Sequence, residues 1–330
     1  MKKIIKKIIP NFLLRYFYSF RYLCKVKIFA NNGIKRYAKY SAKFEDKDSM
    51  LSMLLNTSHS IEKGFAMPNF RYGFGEVKIA YLLDLFEKYI SIYGYDNVVL
   101  DKVRNVLFQY YTIHKSNDYL LPEGVYCRIE KILSLNNIEG KLPKEVTISE
   151  FFSNKDSSFP DFLDSRRSCR NFSTENISLD IYTKAIELAN NYPSACNRQP
   201  CRVYVVQDQE KIEQVFSLHG GNRGFGHNVT TLIVITSFLG GYSMDREFNC
   251  AFVDGGIYTM NLAYALHYYE IGCCILNWSI DAKKDKLMRQ YLPIKDNEVV
   301  VTLLACGKPK DSFVLCDSGK RIVDDIMTII

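Results

Sequence analysis

Residues 252–272, FVDGGIYTMNLAYALHYYEIG, are apolar around nearly the whole circumference of a helix and stop at a glycine. A helix with no polar face cannot lie on a solvated surface, so this one must be buried, in a core or at a subunit interface. The chain has to supply what surrounds it. Two apolar, β-branched runs of strand length are at hand, VTTLIVITS (229–237) and EVVVTLLACGKP (298–309), and both read as interior strands. RVYVVQD (202–208) reads as a third strand, and GCCILNW (272–278) as a short strand or turn.

A chain of 330 residues makes one large domain or two modest ones. Its 47% apolar and 24% charged residues exclude disorder and fibrous repeats as the main reading. No apolar run approaches the ~20 residues that a spanning helix needs, which argues against an integral membrane protein. The net charge of +7 is not spread evenly. Residues 1–40 hold eleven Lys and Arg and no Asp or Glu, so the remaining chain sums to −4. A mildly acidic body gives no support to nucleic-acid binding. The ten cysteines form no C-x-x-C pair and lie mostly in apolar stretches. They read as free thiols of a cytoplasmic protein rather than a disulfide scaffold.

The N-terminal arm, MKKIIKKIIPNFLLRYFYSFRYLCKVKIF, alternates basic and bulky apolar residues, and Arg15 and Arg21 interrupt any signal-peptide core. Ile4, Ile5, Ile8 and Ile9 can form a stripe opposite Lys2, Lys3, Lys6 and Lys7, and Phe12, Tyr16, Phe17, Tyr18, Phe20 and Tyr22 extend the aromatic content. One reading is peripheral contact with the inner membrane face through residues 1–30. The other, commoner among amphipathic helices, packs the aromatic face on the body or on a dimer partner.

Residues 45–135 read as helical, with MLSMLLNTSHSIEKG starting after Asp48 and stopping at Gly64, KIAYLLDLFEKYISIYGY ending at Gly94, and NVVLDKVRNVLFQYYTIHK following. Between the first two lies FAMPNFRYGFGE, a loop of definite shape. His59, Glu62, Lys63 and Arg71 surround it; they could line a site or, the commoner case, cap helices and pair on the surface. The polar stretch 136–160 reads as a linker. The organisation is thus a basic arm over 1–40, a helical extension over 41–150, and a further domain over 156–330.

In that last part, DFLDSRRSCRNFS presents Arg166, Arg167, Ser168 and Arg170 within five residues. Guanidinium groups and a hydroxyl at this density suit a phosphate, and they equally suit a solvated basic turn. ISLDIYTKAIELANN is an amphipathic helix with Ser178 as its N-cap. It leads into PSACNRQPC, which gathers Ser194, Asn197 and Gln199 at a helix-to-strand junction. Such amides can read the edge of a heterocycle or simply form a turn. Near the end, DSGKRIVDDIM carries Lys320 and Arg321. No Ser-His-Asp, Cys-His or metal-ligand spacing appears, so no catalytic or metal residue is assigned.

Taken in order, RRSCRNF, PSACNRQPCRVYVV, the apolar helix with IGCCILNW, ACGKP and GKRIVDDIM resemble the FMN-dependent nitroreductase family over residues 160–330. The resemblance implies an α+β fold: a central, mainly antiparallel sheet flanked by helices, here preceded by a helical N-terminal region. It implies a homodimer with FMN at the interface, the helix 253–271 as dimer element, and NADH or NADPH as reductant. Arg166 and Ser168, with Lys320 and Arg321, would hold the flavin phosphate, and Arg167 belongs to the same run. Arg170 would lie at the pyrimidine edge of the ring. Ser194, Asn197 and Gln199 belong to the loop that contacts the ring, and Leu276 and Asn277 would offer backbone groups. A cation at the pyrimidine edge stabilises the reduced flavin.

The chain departs from that pattern at Cys201, where the family often has Trp, at Lys308 between Gly307 and Pro309, and in the short stretch before FVDGG. The helical first half resembles extensions seen in nitroreductase-like proteins encoded among polysaccharide-biosynthesis genes. The expected activity is FMN-dependent transfer from NAD(P)H to a small-molecule acceptor. The rivals are a flavin-dependent tailoring enzyme of cell-envelope precursors at the membrane, and a flavin-free scaffold serving as an interaction protein.

Overall fold

The computed structural model describes residues 10–41, 46–135 and 139–330. Residues 2–9, which carry the Ile and Lys stripe of the arm, lie outside the described residues. A long helix α1 (Asn11–Tyr40) comes first, followed by four helices that pack together: α2 (Lys47–Phe65), α3 (Glu76–Tyr93), α4 (Val98–Lys115) and α5 (Val125–Leu133). Their apolar positions recur at three- and four-residue spacing, so Leu51, Leu54, Ile61, Leu82, Phe86, Val103 and Leu107 close one core. The N-cap of α2 is Asp46, not Asp48: its carboxylate accepts from the Ser49 amide at 3.0 Å. The helix also runs one residue past Gly64. At Gly94 the chain leaves α3 with φ 75°, a left-handed conformation that glycine adopts without strain.

The stretch 136–160 reads from the sequence as a linker, but its described residues, 139–160, are woven into the fold. Strand β1 (Lys144–Thr147) pairs antiparallel with β6 (Ser312–Leu315), and α6 (Ile148–Phe151) follows through a Thr147–Glu150 capping box. Val146, Phe151 and Phe152 are buried. A four-residue strand with only one buried position carries too little periodicity to be seen in sequence.

The remaining elements are α7 (Phe159–Ser165), α8 (Leu179–Ala189), β2 (Cys201–Val206), α9 (Gln209–Leu218), β3 (Thr231–Phe238), α10 (Cys250–Tyr268), β4 (Gly272–Asn277), α11 (Ala282–Tyr291) and β5 (Glu298–Gly307). The sheet order is β2-β3-β5-β4, antiparallel throughout. Both expected interior strands, β3 and β5, are central. Alternation divides β3 between two layers: Leu232 and Val234 pack with α9 and α11, whereas Ile233 and Ile235 pack with α8 and α10. The expected α+β architecture, with a mainly antiparallel sheet behind a helical N-terminal region, is what forms.

Helix α10 divides between two surroundings within the one chain. Only one face is buried, through Ala251, Gly255, Tyr258, Leu262 and Leu266 on the sheet and α8. Gly255 allows the approach, because a Cβ there would stand 2.5 Å from a Val301 methyl. Phe252, Val253, Ile257 and Tyr268 are exposed on the other side. The apolar circumference reflects two different surroundings, sheet on one face and an uncovered apolar strip on the other.

Candidate functional site

The basic run follows α7. Arg166 leaves the helix in an extended conformation, and the chain is then pinned by what lies beyond it. Cys169 is fully buried and its amide donates to the Cys273 carbonyl of β4 at 2.9 Å. Phe172, also fully buried, bridges to Pro309. Upstream, Ser165 is held to α10 by a 2.9 Å hydrogen bond with His267 Nε2. Burial, and secondarily the charge of Arg166, hold the His267 imidazole down at about 4, so it is neutral near pH 7. The arginines between these anchors face a cleft.

That cleft has a volume of about 960 Å³. Arg166, Arg167, Ser168 and Arg170 form one wall, Met260 and Tyr264 of α10 another, and the turn Cys316–Lys320 a third. The fourth wall comes from the helical extension: His59, Glu62 and Lys63 of α2, and Lys102 of α4. Arg170 is buried, and its Nη1 donates to Cys316 Sγ at 3.4 Å. Burial lifts the Cys316 thiol to about 11, against the pull of Arg170, so it stays protonated. Three acids line the cleft, Glu62, Asp164 and Asp317, and two of them are held in pairs. Glu62 pairs with His59 Nδ1 at 3.1 Å, and Asp164 with Arg167. Lys63 is pushed below the ordinary lysine range by burial first and by the neighbouring charge of Arg170 next. A smaller cleft of about 500 Å³ adjoins and shares Glu62, Asp164, Arg167 and Cys316 with it.

The sequence-derived residues divide into groups. Arg166, Arg167, Ser168, Arg170 and Lys320 come together here. Arg321 does not: its guanidinium reaches Asp48 Oδ1 at 3.2 Å and Ser52 Oγ at 3.0 Å, stapling the C-terminal turn to α2. Ser194, Asn197 and Gln199 sit at the opposite end of α10, where the Ala195 amide donates to Asp254. From Asp254 to Tyr264 is ten residues of helix, about 15 Å. The loop is tightly bent, with Cys196, Asn197 and Gln199 at φ 53°, 55° and 49°. Non-glycine residues in this region carry strain, and three within four positions is concentrated strain. The Gln199 amide to Ser194 Oγ bond (2.9 Å) and the Gln199 Nε2 to Asn197 Oδ1 bond (2.9 Å) hold it.

Leu276 and Asn277 close β4, and their carbonyls are already engaged. Leu276 accepts from Thr302 Oγ1 at 2.7 Å and Asn277 from His219 Nε2 at 2.5 Å. Lys308 lies away from the cleft, in a 2.5 Å pair with Glu175. Cys201 opens β2, its amide donating to the Tyr192 hydroxyl at 3.4 Å. The short stretch before α10 is fixed by a 2.5 Å Arg198–Glu247 pair. Among the described residues no cluster of three or more metal-type ligands occurs, and all ten cysteines are unpaired.

Sequence reasoning favoured a structural role for His59, Glu62 and Lys63, which the cleft instead takes as its fourth wall. His59 and Lys63 are one helical turn apart, so they share a face of α2, yet nothing local says that this face looks onto residues 166–170. Lys102 gives no signal at all.

A model of the nitroreductase family matches residues 163–219. A protein of Archaeoglobus fulgidus named as an NADH dehydrogenase/NAD(P)H nitroreductase is 30% identical over 165 residues, covering 48% of this chain and 90% of that one. The chain belongs to the nitroreductase family. Among solved structures it is similar to a nitroreductase family protein of Streptococcus pneumoniae (20% identity, TM-score 0.46, 52% of this chain and 100% of that one). It is also similar to an NAD(P)H:FMN oxidoreductase of Staphylococcus epidermidis (19% identity, TM-score 0.47, 53% and 96%).

Proposed function

We propose that the chain is an FMN-dependent NAD(P)H oxidoreductase that works as a homodimer and passes electrons to a small-molecule acceptor. The observation that carries the reading is the cleft in which Arg166, Ser168, Arg170 and Lys320 converge. The donor set fits the cofactor. A phosphate carries about −1.5 to −2 charges near pH 7, and guanidinium and ammonium groups offset them with short charge-assisted hydrogen bonds. Arg166, Ser168 and Lys320 would hold the phosphate. Arg170, kept rigid by burial, would hold a fixed positive charge where the reduced ring is negative. When bound, the flavin supplies the hydride chemistry. The protein's own residues bind, orient and shield, which is why no acid–base pair is needed among them.

A single chain leaves Ser194, Asn197 and Gln199 about 15 Å along α10 from the cleft. A two-fold partner lying antiparallel along the exposed face of α10 would bring its own loop to this cleft, and the apolar residues Val253 and Ile257 would be the contact. The test is NAD(P)H oxidation by FMN-loaded protein with a quinone or nitroaromatic as probe acceptor. Arg166→Ala should lose flavin and activity together. Activity surviving without bound flavin would refute the reading, and flavin-free protein that takes up none would favour the interaction-protein reading.

A second reading concerns the place of work, and the exposure of α1 favours it. Phe12, Tyr16, Phe20, Leu23, Ile34 and Tyr37 recur at helical spacing, and their exposures run from 47% for Leu23 to 74% for Tyr37. The described arm holds Arg15, Arg21, Lys25, Lys27, Lys35, Arg36 and Lys39 without one acid. It packs on the body at the turn Asp245–Glu247. A basic helix with an uncovered aromatic stripe suits an anionic bilayer surface, where a cell-envelope precursor would be the acceptor.

A further inference from the structure

Two of the cations in the cleft belong to no part of the nitroreductase unit: Lys63 on α2 and Lys102 on α4. We propose that these two lysines form the outer half of the phosphate site, so that the helical extension is a working part of the cofactor cleft. This rests on the reading of the cleft as the FMN site.

Four observations carry it. Lys63 and Lys102 line the same cavity as Arg166, Ser168, Arg170 and Lys320. Lys63 is half-buried and close enough to Arg170 for the two charges to repel, while the adjacent acid, Glu62, is taken by His59. Like charges held together away from bulk water are stabilised when an anion lies between them. The C-terminal turn is docked onto both helices. Ser318 Oγ lies 3.4 Å from His59 Nδ1, Arg321 reaches Asp48 and Ser52, and a Cβ on Gly319 would fall 2.6 Å from the Lys102 side chain. Lys320 is therefore set between an α2 contact on each side, and the residue before it, Gly319, lies against the Lys102 stem. The result is a cleft lined by cations of the arginine run on one side and of the helical extension on the other. A lysine in a solvated face would show none of this: neither the loss of solvent nor the backbone closing over its stem.

The deciding comparison is FMN against riboflavin, which differ by the phosphate. Each is titrated into flavin-free full-length protein and followed by quenching of flavin fluorescence. Lys63→Met and Lys102→Met keep the apolar stems and remove the charge, and Lys63→Arg restores it. Loss of one charge-assisted contact to a phosphate is expected to weaken FMN roughly tenfold or more for Lys63→Met and severalfold for Lys102→Met. Riboflavin affinity should stay unchanged in both variants, and Lys63→Arg should stay within about threefold of the parent for FMN. Near-ultraviolet circular dichroism confirms that each variant is folded. Parent-like FMN affinity in both Met variants would overturn the assignment. So would a parallel loss of riboflavin, which would make the lysines merely structural. If the parent protein binds no FMN, the failure belongs to the functional reading itself, and the lysine assignment falls with it.

Discussion

His267 ties the site to the stability of the fold in a way that can be measured. It is 2% exposed, enclosed by the rings of Phe151, Phe152 and Phe162 with centroids at 5.3, 5.2 and 5.7 Å, and bonded to Ser165. Burial and the nearby Arg166 lower its folded pKa to about 4, from 6.5. A group whose folded pKa lies below its unfolded value binds fewer protons in the native state across that interval. Stability therefore rises with pH between about 4 and 6.5, is complete above 6.5, and is lost as acid charges the unfolded imidazole first. At 1.36 kcal/mol per unit, the shift corresponds to about 3 kcal/mol, an order-of-magnitude figure. His267→Phe should pack among the three rings and remove one of the two hydrogen bonds of Ser165 Oγ, which keeps its bond to the Phe162 carbonyl at 2.8 Å, costing no more than about 1 kcal/mol near pH 7. It should also remove most of the acid sensitivity. Urea unfolding at pH 7.0, 5.5 and 4.5 measures both effects. His114, likewise lowered by burial, contributes equally to parent and variant, so the difference between their slopes isolates His267. Parallel slopes would refute the reasoning, because the imidazole would then not be held neutral by its surroundings.

Three further outcomes follow from the same geometry. Arg166→Ala should raise the FMN dissociation constant at least tenfold, whereas Arg321→Ala should leave it unchanged and lower stability by no more than about 1 kcal/mol, since its partner Asp48 is a surface group; isothermal titration and thermal melts separate the two. Ile257→Glu places a charge in the exposed apolar strip of α10, so light scattering should show monomer, and bound flavin should fall with it if the partner's loop completes the site. Replacing Phe12, Tyr16 and Phe20 with Ser should abolish sedimentation of the protein with anionic vesicles; sedimentation of the parent with neutral vesicles to the same extent would contradict a role for the basic residues.

The architecture was legible wherever one surrounding acts on many consecutive residues. β3 and β5 are buried at most positions, so their apolar runs announce central strands, and Gly94 marks a helix end because its φ is left-handed. Legibility failed where a role depends on a distant partner. KEVT offers one buried residue in four, and only β6 makes it a strand. The Arg166–Arg170 run was visible because its cations are adjacent in sequence. Lys63 and Lys102 were not, since they meet that run only after the helical extension has packed against it. Arg321 shows the converse. Adjacent to Lys320 in sequence, it points to α2 instead, because Asp48 and Ser52 are within its reach. The apolar girdle of α10 could be read as buried, but sequence alone could not say that one face would be left uncovered.

The central claim is that this cleft holds a redox-active flavin, and the most direct test is the visible absorption spectrum of the purified full-length protein, recorded before and after addition of FMN and then of NADH or NADPH without oxygen. A bound flavin band that bleaches with reductant, and returns when an acceptor is added, is the predicted result. Protein that neither carries flavin nor takes it up on titration would contradict the account.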